Sequence, residues 1–176
     1  ELAQSLGLSH INQDVTITGF SVDSRTVQPG DLFIALQGSC FDGHDYVIQA
    51  IEQGAAAVLV SKACPESISY VRVPDTQQAL WDLAANWRQR FDIPIVAITG
   101  SCGKTSTRGL LQSILSGCAP TLASERSYNN HVGVPLTLLR LRDSHRYAVV
   151  EVGANRTGEI AKLVSLVKPH VSMITN

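Results

Sequence analysis

The chain has 176 residues, 44% of them hydrophobic, with a formal net charge of −1 and a pI near 6.6. That length supports one compact domain or two small ones with ample material for a core. The near-neutral balance supplies no basic field of the kind nucleic acids require, so no nucleic-acid partner is expected.

Short strands, turns and one helix are predicted for the N-terminal part. A strand runs from Val15 to Val22, Pro29-Gly30-Asp31 makes a turn, and Leu32 to Leu36 forms the next strand. His44 to Gln53 suits a helix ended by Gly54, Ala55 to Val60 a buried strand, and Tyr70 to Val73 a strand closed by Pro74. Asp75 reads as an N-cap with Gln78 completing a capping box, which predicts a helix to about Arg90. Leu80, Leu83, Ala84 and Trp87 share one face of it, leaving Trp81 at the edge or in an interdomain contact. A domain boundary is placed near Thr76, giving domains 1–76 and 77–176.

Beyond that boundary, strands Ile95 to Thr99, Tyr147 to Glu151 and Val171 to Thr175 alternate with helices Thr105 to Ser116, Val134 to Leu141 and Glu159 to Val167. Such alternation is the pattern of an α/β fold with a parallel sheet covered by helices. The first residue is Glu1, and the last strand leads directly to Asn176, where such folds deliver a functional loop, so a longer protein is expected.

The densest chemical signal is Thr99-Gly100-Ser101-Cys102-Gly103-Lys104-Thr105, set between an apolar run and a helical pattern. Glycines permit close backbone approach, successive N–H groups and a helix N-terminus hold phosphate oxygens, Lys104 adds a mobile cation, and the Thr105 hydroxyl suits magnesium. The usual pattern has a further glycine where this chain has Ile98, so the strand before and the helix after carry the reading. A nucleoside triphosphate is the expected ligand.

Glu151 ends a buried-type strand downstream of that loop, where folds of this kind hold a magnesium-binding acid; the alternative is a strand-end glutamate facing solvent. The stretch from Gly153 to Glu159 can pass close to a ligand and cap the next helix. The segment Ser127 to Pro135 is rich in hydrogen-bonding groups, and by local chemistry its paired asparagines read first as a turn. Cys40, Cys64, Cys102 and Cys118 are scattered and read as reduced thiols, Cys102 more as loop filler than as a reactive group. His10, His145 and His170 lack metal-ligand spacing and read as surface residues. No stretch reaches membrane-spanning length and no secretory signal opens the chain, so no membrane insertion and a cytoplasmic location are expected.

Together these segments resemble the Mur ligases of peptidoglycan synthesis. In the first domain the likeness rests on Val22-Asp23-Ser24-Arg25, on Pro29 to Gly38 and on Phe41-Asp42-Gly43-His44. In the second it rests on Thr99 to Ser106, on Asn129 to Leu139, and on Glu151-Val152-Gly153-Ala154-Asn155 with Gly158-Glu159-Ile160. The last two segments look like the branch that adds D-alanyl-D-alanine to UDP-N-acetylmuramoyl-tripeptide. The amino-acid-adding branch of the preceding step typically has an Asn-Thr-Thr loop and a Glu-Val-Ser-Ser stretch there.

The resemblance implies a small N-terminal α/β UDP-substrate domain followed by part of a P-loop NTPase-like parallel-sheet domain. It implies ATP and Mg2+ as cofactors and an acyl-phosphate route. Gly100, Ser101, Cys102, Gly103, Lys104, Thr105 and Ser106 would hold the phosphates, Thr105 and Glu151 the metal, and Lys104 and Glu151 would be catalytic. Ser24, Arg25, Asp42, Gly43 and His44 would meet the UDP end of the substrate, and Asn129 and Asn130 would lie along its path. The family's carbamoylated lysine, metal-binding histidine and third domain would follow Asn176, and a monomer is expected. The preceding amino-acid-adding ligase, and a binding module without catalysis, remain as alternatives.

Overall fold

The computed structural model describes residues 15–125 and 128–176; the expectations for His10 and Ser127 lie outside the described residues. The chain divides into two compact units, Glu1–Leu83 and Ala84–Asn176.

In the first unit β1 (Gly19–Ser21), β2 (Asp31–Ile34), β3 (Ala57–Val60) and β4 (Tyr70–Arg72) form a parallel sheet in that order. Leu32 lies opposite Ala57, and Leu59 opposite Val71. Every residue of β2 and β3 is buried, as expected of central strands covered on both faces. Phe33, Ala35, Val47, Ala50, Val58, Val60 and Ile68 form one apolar cluster with Val27 and Ala55. Each large side chain buried there contributes about 1.5–3 kcal/mol.

The predicted first strand shortens to Gly19–Ser21, which among the described residues is an edge strand paired with β2. The predicted helix from His44 starts instead as a 3-10 turn, Gly43–Tyr46, followed by α1 (Val47–Glu52). The cause is close packing: a Cβ on Gly43 would lie 2.8 Å from the Leu36 nitrogen, and Asp42 pins the turn by accepting the His44 N–H.

Helix α2 (Thr76–Arg88) begins where the cap predicts, with Asp75 Oδ1 accepting the N–H groups of Gln77 at 2.8 Å and Gln78 at 3.0 Å. The Gln78 amide turns to Asp82 at 2.9 Å instead of completing the capping box. The helix stops short of Arg90 because Arg88 turns inward. Buried there, it donates to the carbonyls of Phe91, Val167 and Lys168.

The second unit holds β5 (Ile95–Gly100), β6 (Thr121–Ala123), β7 (Tyr147–Glu151) and β8 (Val171–Thr175), all parallel, in the order β6-β7-β5-β8. Helices α3 (Lys104–Ser116), α4 (Gly133–Leu139) and α5 (Glu159–Val167) alternate with these strands. Strand β6 is absent from the sequence expectation because three residues carry no readable period. All of α4 is buried, and Ile98, Ala123 and Val149 form a cluster against which Val96, Leu111 and Leu115 pack.

The strand order positions the site. From β5 the chain skips one place to β6 and returns to fill the gap with β7, so the ends of β5 and β7 are neighbours, with Ile98 opposite Glu151. In open α/β sheets the crevice beyond the carboxyl ends of such strands takes the ligand. The expected surface histidines serve as backbone acceptors: His170 Nδ1 takes the Ile95 N–H at 3.2 Å, and His145 Nδ1 the Arg142 N–H at 3.0 Å. Burial, helped by Arg142 and Arg140, pushes His145 below the usual imidazole range.

Candidate functional site

The loop after β5 requires glycine at both turns. Gly100 has φ of 137°, and a Cβ there would lie 2.0 Å from the Thr175 carbonyl oxygen; Gly103 precedes α3 with φ of 82°. Thr107 is the first residue whose N–H closes on the loop, reaching the Gly103 carbonyl at 2.9 Å. The amides of Lys104, Thr105 and Ser106 are therefore the helix-start donors that have no intrahelical acceptor, at the positive end of the α3 dipole. Ser101 and Cys102 donate their N–H groups to the Asn176 oxygen at 2.7 and 3.0 Å. Lys104 Nζ folds over the loop onto the Gly100 carbonyl at 2.6 Å. The Cys102 thiol is free and exposed.

Glu151 is buried, so the solvent-facing alternative does not hold. Its Oε2 accepts the Thr105 hydroxyl at 3.0 Å, its Oε1 accepts the Asn129 amide at 2.9 Å, and its own N–H donates to Ser124 Oγ at 3.0 Å. Arg108 completes the ring: Nη1 donates to the Ser124 carbonyl at 2.5 Å, and Nε lies 3.8 Å from Glu151 Oε2. Sequence reasoning missed Arg108 and Ser124. Arg108 stands one turn after Thr105 on α3, a spacing that puts both on one face, whereas Ser124 follows the unpredicted β6.

The Thr105–Glu151 pair fits a divalent cation. Hydroxyl and carboxylate are hard oxygen donors, and their 3.0 Å separation matches the edge of a magnesium octahedron, roughly 3 Å for bonds of about 2.1 Å. Among the described residues no cluster of three or more His, Cys, Asp or Glu suits a metal. Magnesium sites commonly use only one or two protein ligands, with water and phosphate oxygens completing the shell.

Asn129 and Asn130 divide their tasks. Asn130 Oδ1 accepts the N–H groups of Val132 at 3.0 Å and Gly133 at 2.9 Å, capping the start of α4, while the Asn129 carbonyl takes the Gly153 N–H at 2.7 Å. The Asn129 turn is thus tied to the strand end that carries Glu151. Glu159 Oε2 gathers the N–H groups of Asn155 at 2.8 Å and Arg156 at 3.2 Å, and these bonds, Asn155 foremost, hold its carboxyl below the usual range.

In the first unit, Ser24 is buried and donates its hydroxyl to Gln49 Oε1 at 2.8 Å. Arg25, exposed, clasps Asp23 through Nε at 2.9 Å and Nη2 at 2.6 Å, which holds the Asp23 carboxyl below its ordinary value. Asp42, Gly43 and His44 are engaged internally. The His44 ring is only 7% exposed, with Nδ1 2.5 Å from Asp42 Oδ1 and Nε2 accepting the Ser61 N–H at 2.9 Å. Because Nε2 accepts, the Nδ1 hydrogen faces Asp42. Lys62 pairs with the other Asp42 oxygen, and with the His44 bonds it drives the Asp42 carboxyl well below the carboxylate range. Phe41, beside this brace, is exposed.

Among the described residues no helix is long and apolar enough to cross a membrane. Residues 16–88 match the Mur ligase family catalytic domain, and residues 98–176 the Mur ligase middle domain. The chain is 45% identical over 163 residues to the UDP-N-acetylmuramoyl-tripeptide–D-alanyl-D-alanine ligase of Escherichia coli, covering 93% of this chain and 36% of that protein. A crystal structure of MurF from Acinetobacter baumannii superimposes with a TM-score of 0.89 at 39% identity, covering 98% of this chain and 39% of that one. MurF from Thermotoga maritima in complex with ADP gives a TM-score of 0.77 at 30% identity, over 92% of this chain and 38% of that one. The chain thus spans well under half the length of the relatives it matches. With matches running through both compact units, the chain belongs to the Mur ligase family.

Proposed function

We propose that the chain supplies the UDP-substrate unit and the nucleotide-binding unit of a ligase that uses ATP to add D-alanyl-D-alanine to UDP-N-acetylmuramoyl-tripeptide. The observation that carries this reading is the Thr105 hydroxyl on the buried Glu151 carboxylate, beside a glycine loop that opens a helix. The identities of 36–45% to ligases of that name support the choice of substrates. A cytoplasmic reaction accords with the nucleotide-linked substrates.

In this mechanism the amides from Gly103 to Ser106 hold the triphosphate oxygens, and Lys104 exchanges the Gly100 carbonyl for a phosphate oxygen. Thr105 and Glu151 hold a magnesium ion, whose chemistry is to neutralise phosphate charge. A carboxylate oxygen of the tripeptide attacks the γ-phosphorus, forming an acyl phosphate and releasing ADP. The amine of D-alanyl-D-alanine then adds to the acyl carbon, and the tetrahedral intermediate expels phosphate and loses the amine proton. The chain's part is alignment and charge stabilisation. Arg25 and the Gly38–His44 loop meet the UDP end, the loop kept in shape by the Asp42–His44–Ser61 contacts; Ser24 backs it from the core, and Asn130 shapes the approach to the reacting end.

The test is phosphate release by the full-length protein with ATP and magnesium, with mass analysis of the product. Release that requires both UDP-N-acetylmuramoyl-tripeptide and D-alanyl-D-alanine is expected. Release with single amino acids but not the dipeptide would move the protein to the preceding step, and ADP binding with no release under any substrate pair would make it a binding module.

A further inference from the structure

We infer that Arg108 makes cation binding at Thr105 and Glu151 conditional on the nucleotide, acting on Glu151 as a positioning residue without touching substrate. The inference rests on the reading of Thr105 and Glu151 as cation ligands. Arg108 is 13% exposed, and Nη1 is anchored at 2.5 Å on the carbonyl of Ser124, whose hydroxyl takes the Glu151 N–H. The guanidinium is thus fastened to the residue that also fixes the strand end carrying the carboxylate. Its Nε is buried, makes no hydrogen bond, and faces Glu151 Oε2 at 3.8 Å. The oxygen it faces is the one that takes the Thr105 hydroxyl.

Two consequences follow from that placement. With no cation present, the guanidinium compensates a carboxylate that is otherwise buried among neutral donors, a role whose loss leaves an unpaired buried charge. When a divalent cation approaches the Thr105 and Glu151 oxygens, the same guanidinium becomes a like charge a few ångströms away in a poorly screened setting. Both effects weaken the hold on a bare cation. Phosphate oxygens restore the balance by bringing negative charge to the other side of the ion. The ion therefore enters with the nucleotide, and Arg108 sets the threshold.

The experiment uses the full-length protein and Mn2+ as the probe, with bound and free ion measured by electron paramagnetic resonance, with and without ADP. Without ADP, Arg108→Met and Arg108→Gln should each bind Mn2+ at least fivefold more tightly than wild type, while Arg108→Lys, which keeps the charge, should stay within about twofold. With ADP the differences should narrow. A merely structural arginine predicts the opposite sign, since its removal would loosen Glu151 and weaken binding. Gln can still donate to Ser124, so that variant decides the matter if the Met variant does not fold. Glu151→Gln separates the two readings. If it leaves Mn2+ binding unchanged in the presence of ADP, the cation site itself is wrong. If it weakens binding there but neither neutral Arg108 variant binds the bare ion more tightly than wild type, the inference about Arg108 is overturned on its own.

Discussion

Asn129 offers a direct test of how the carboxylate at the end of β7 is held. Its amide donates to Glu151 Oε1 at 2.9 Å, and alanine removes that bond while leaving the backbone link to Gly153 intact. A hydrogen bond to a charged acceptor contributes about 1.5–3 kcal/mol, and the half-buried setting of Asn129 favours the lower end, about 1.5 kcal/mol. For a chain of 176 residues that corresponds to a fall in Tm of about 3–6 °C. The assay is thermal unfolding of wild type and Asn129→Ala without nucleotide, with steady-state kinetics of the full-length protein beside it. Reduced stability together with a lower kcat, and an unchanged KM for the UDP-linked substrate, is expected of a residue that aims Glu151. An unchanged Tm with a raised KM for that substrate would refute the reasoning and return Asn129 to the substrate path.

Lys104→Ala should lower the ligation rate by about 3 kcal/mol of transition-state stabilisation or more, with UDP-substrate binding retained; near-normal turnover would remove Lys104 from its role. Gly100→Ala should disrupt the phosphate loop, because a side chain at φ of 137° is strained by about 1–3 kcal/mol and its Cβ would overlap the Thr175 oxygen; ADP affinity measured by calorimetry should collapse, and wild-type affinity would disprove the geometry. Asp42 has its carboxyl depressed in the fold by Lys62 and then by the His44 N–H, so its contribution to stability is present above the ordinary value of 3.8 and is lost as pH falls below it. Urea unfolding of Asp42→Asn should therefore show a shallower loss of stability than wild type between about pH 4 and pH 2, and parallel curves would contradict the assignment.

Much of the second unit was legible because its elements are long and strongly patterned. Helix α5 spans Glu159–Val167 as its apolar spacing indicates, and the glycine loop lies between a buried strand and a helix as its composition requires. The end-on position of Glu151 could be read from the apolar run before it, but its surroundings could not. Ser124, Asn129 and Arg108 reach it from a short strand, a turn and a helix, and no local spacing records that convergence. In the first unit, the family resemblance assigns Asp42 and His44 to the UDP end of the substrate, and local spacing does not show their mutual contacts. The fold directs them onto each other, Ser61 and Lys62, because a buried imidazole needs partners for both nitrogens.

The place of β7 between β5 and β6 has a consequence for synthesis on the ribosome. A nascent chain that has emerged only as far as His145 holds β5 and β6 with an empty slot between them, each offering unpaired backbone groups that invite pairing with another chain. Only when Tyr147–Glu151 slides into that slot does the acid arrive beside Thr105. Parallel pairings of this kind close late and slowly, so nucleotide affinity should appear only after β7 has inserted, and chaperones have most to protect in the interval before it.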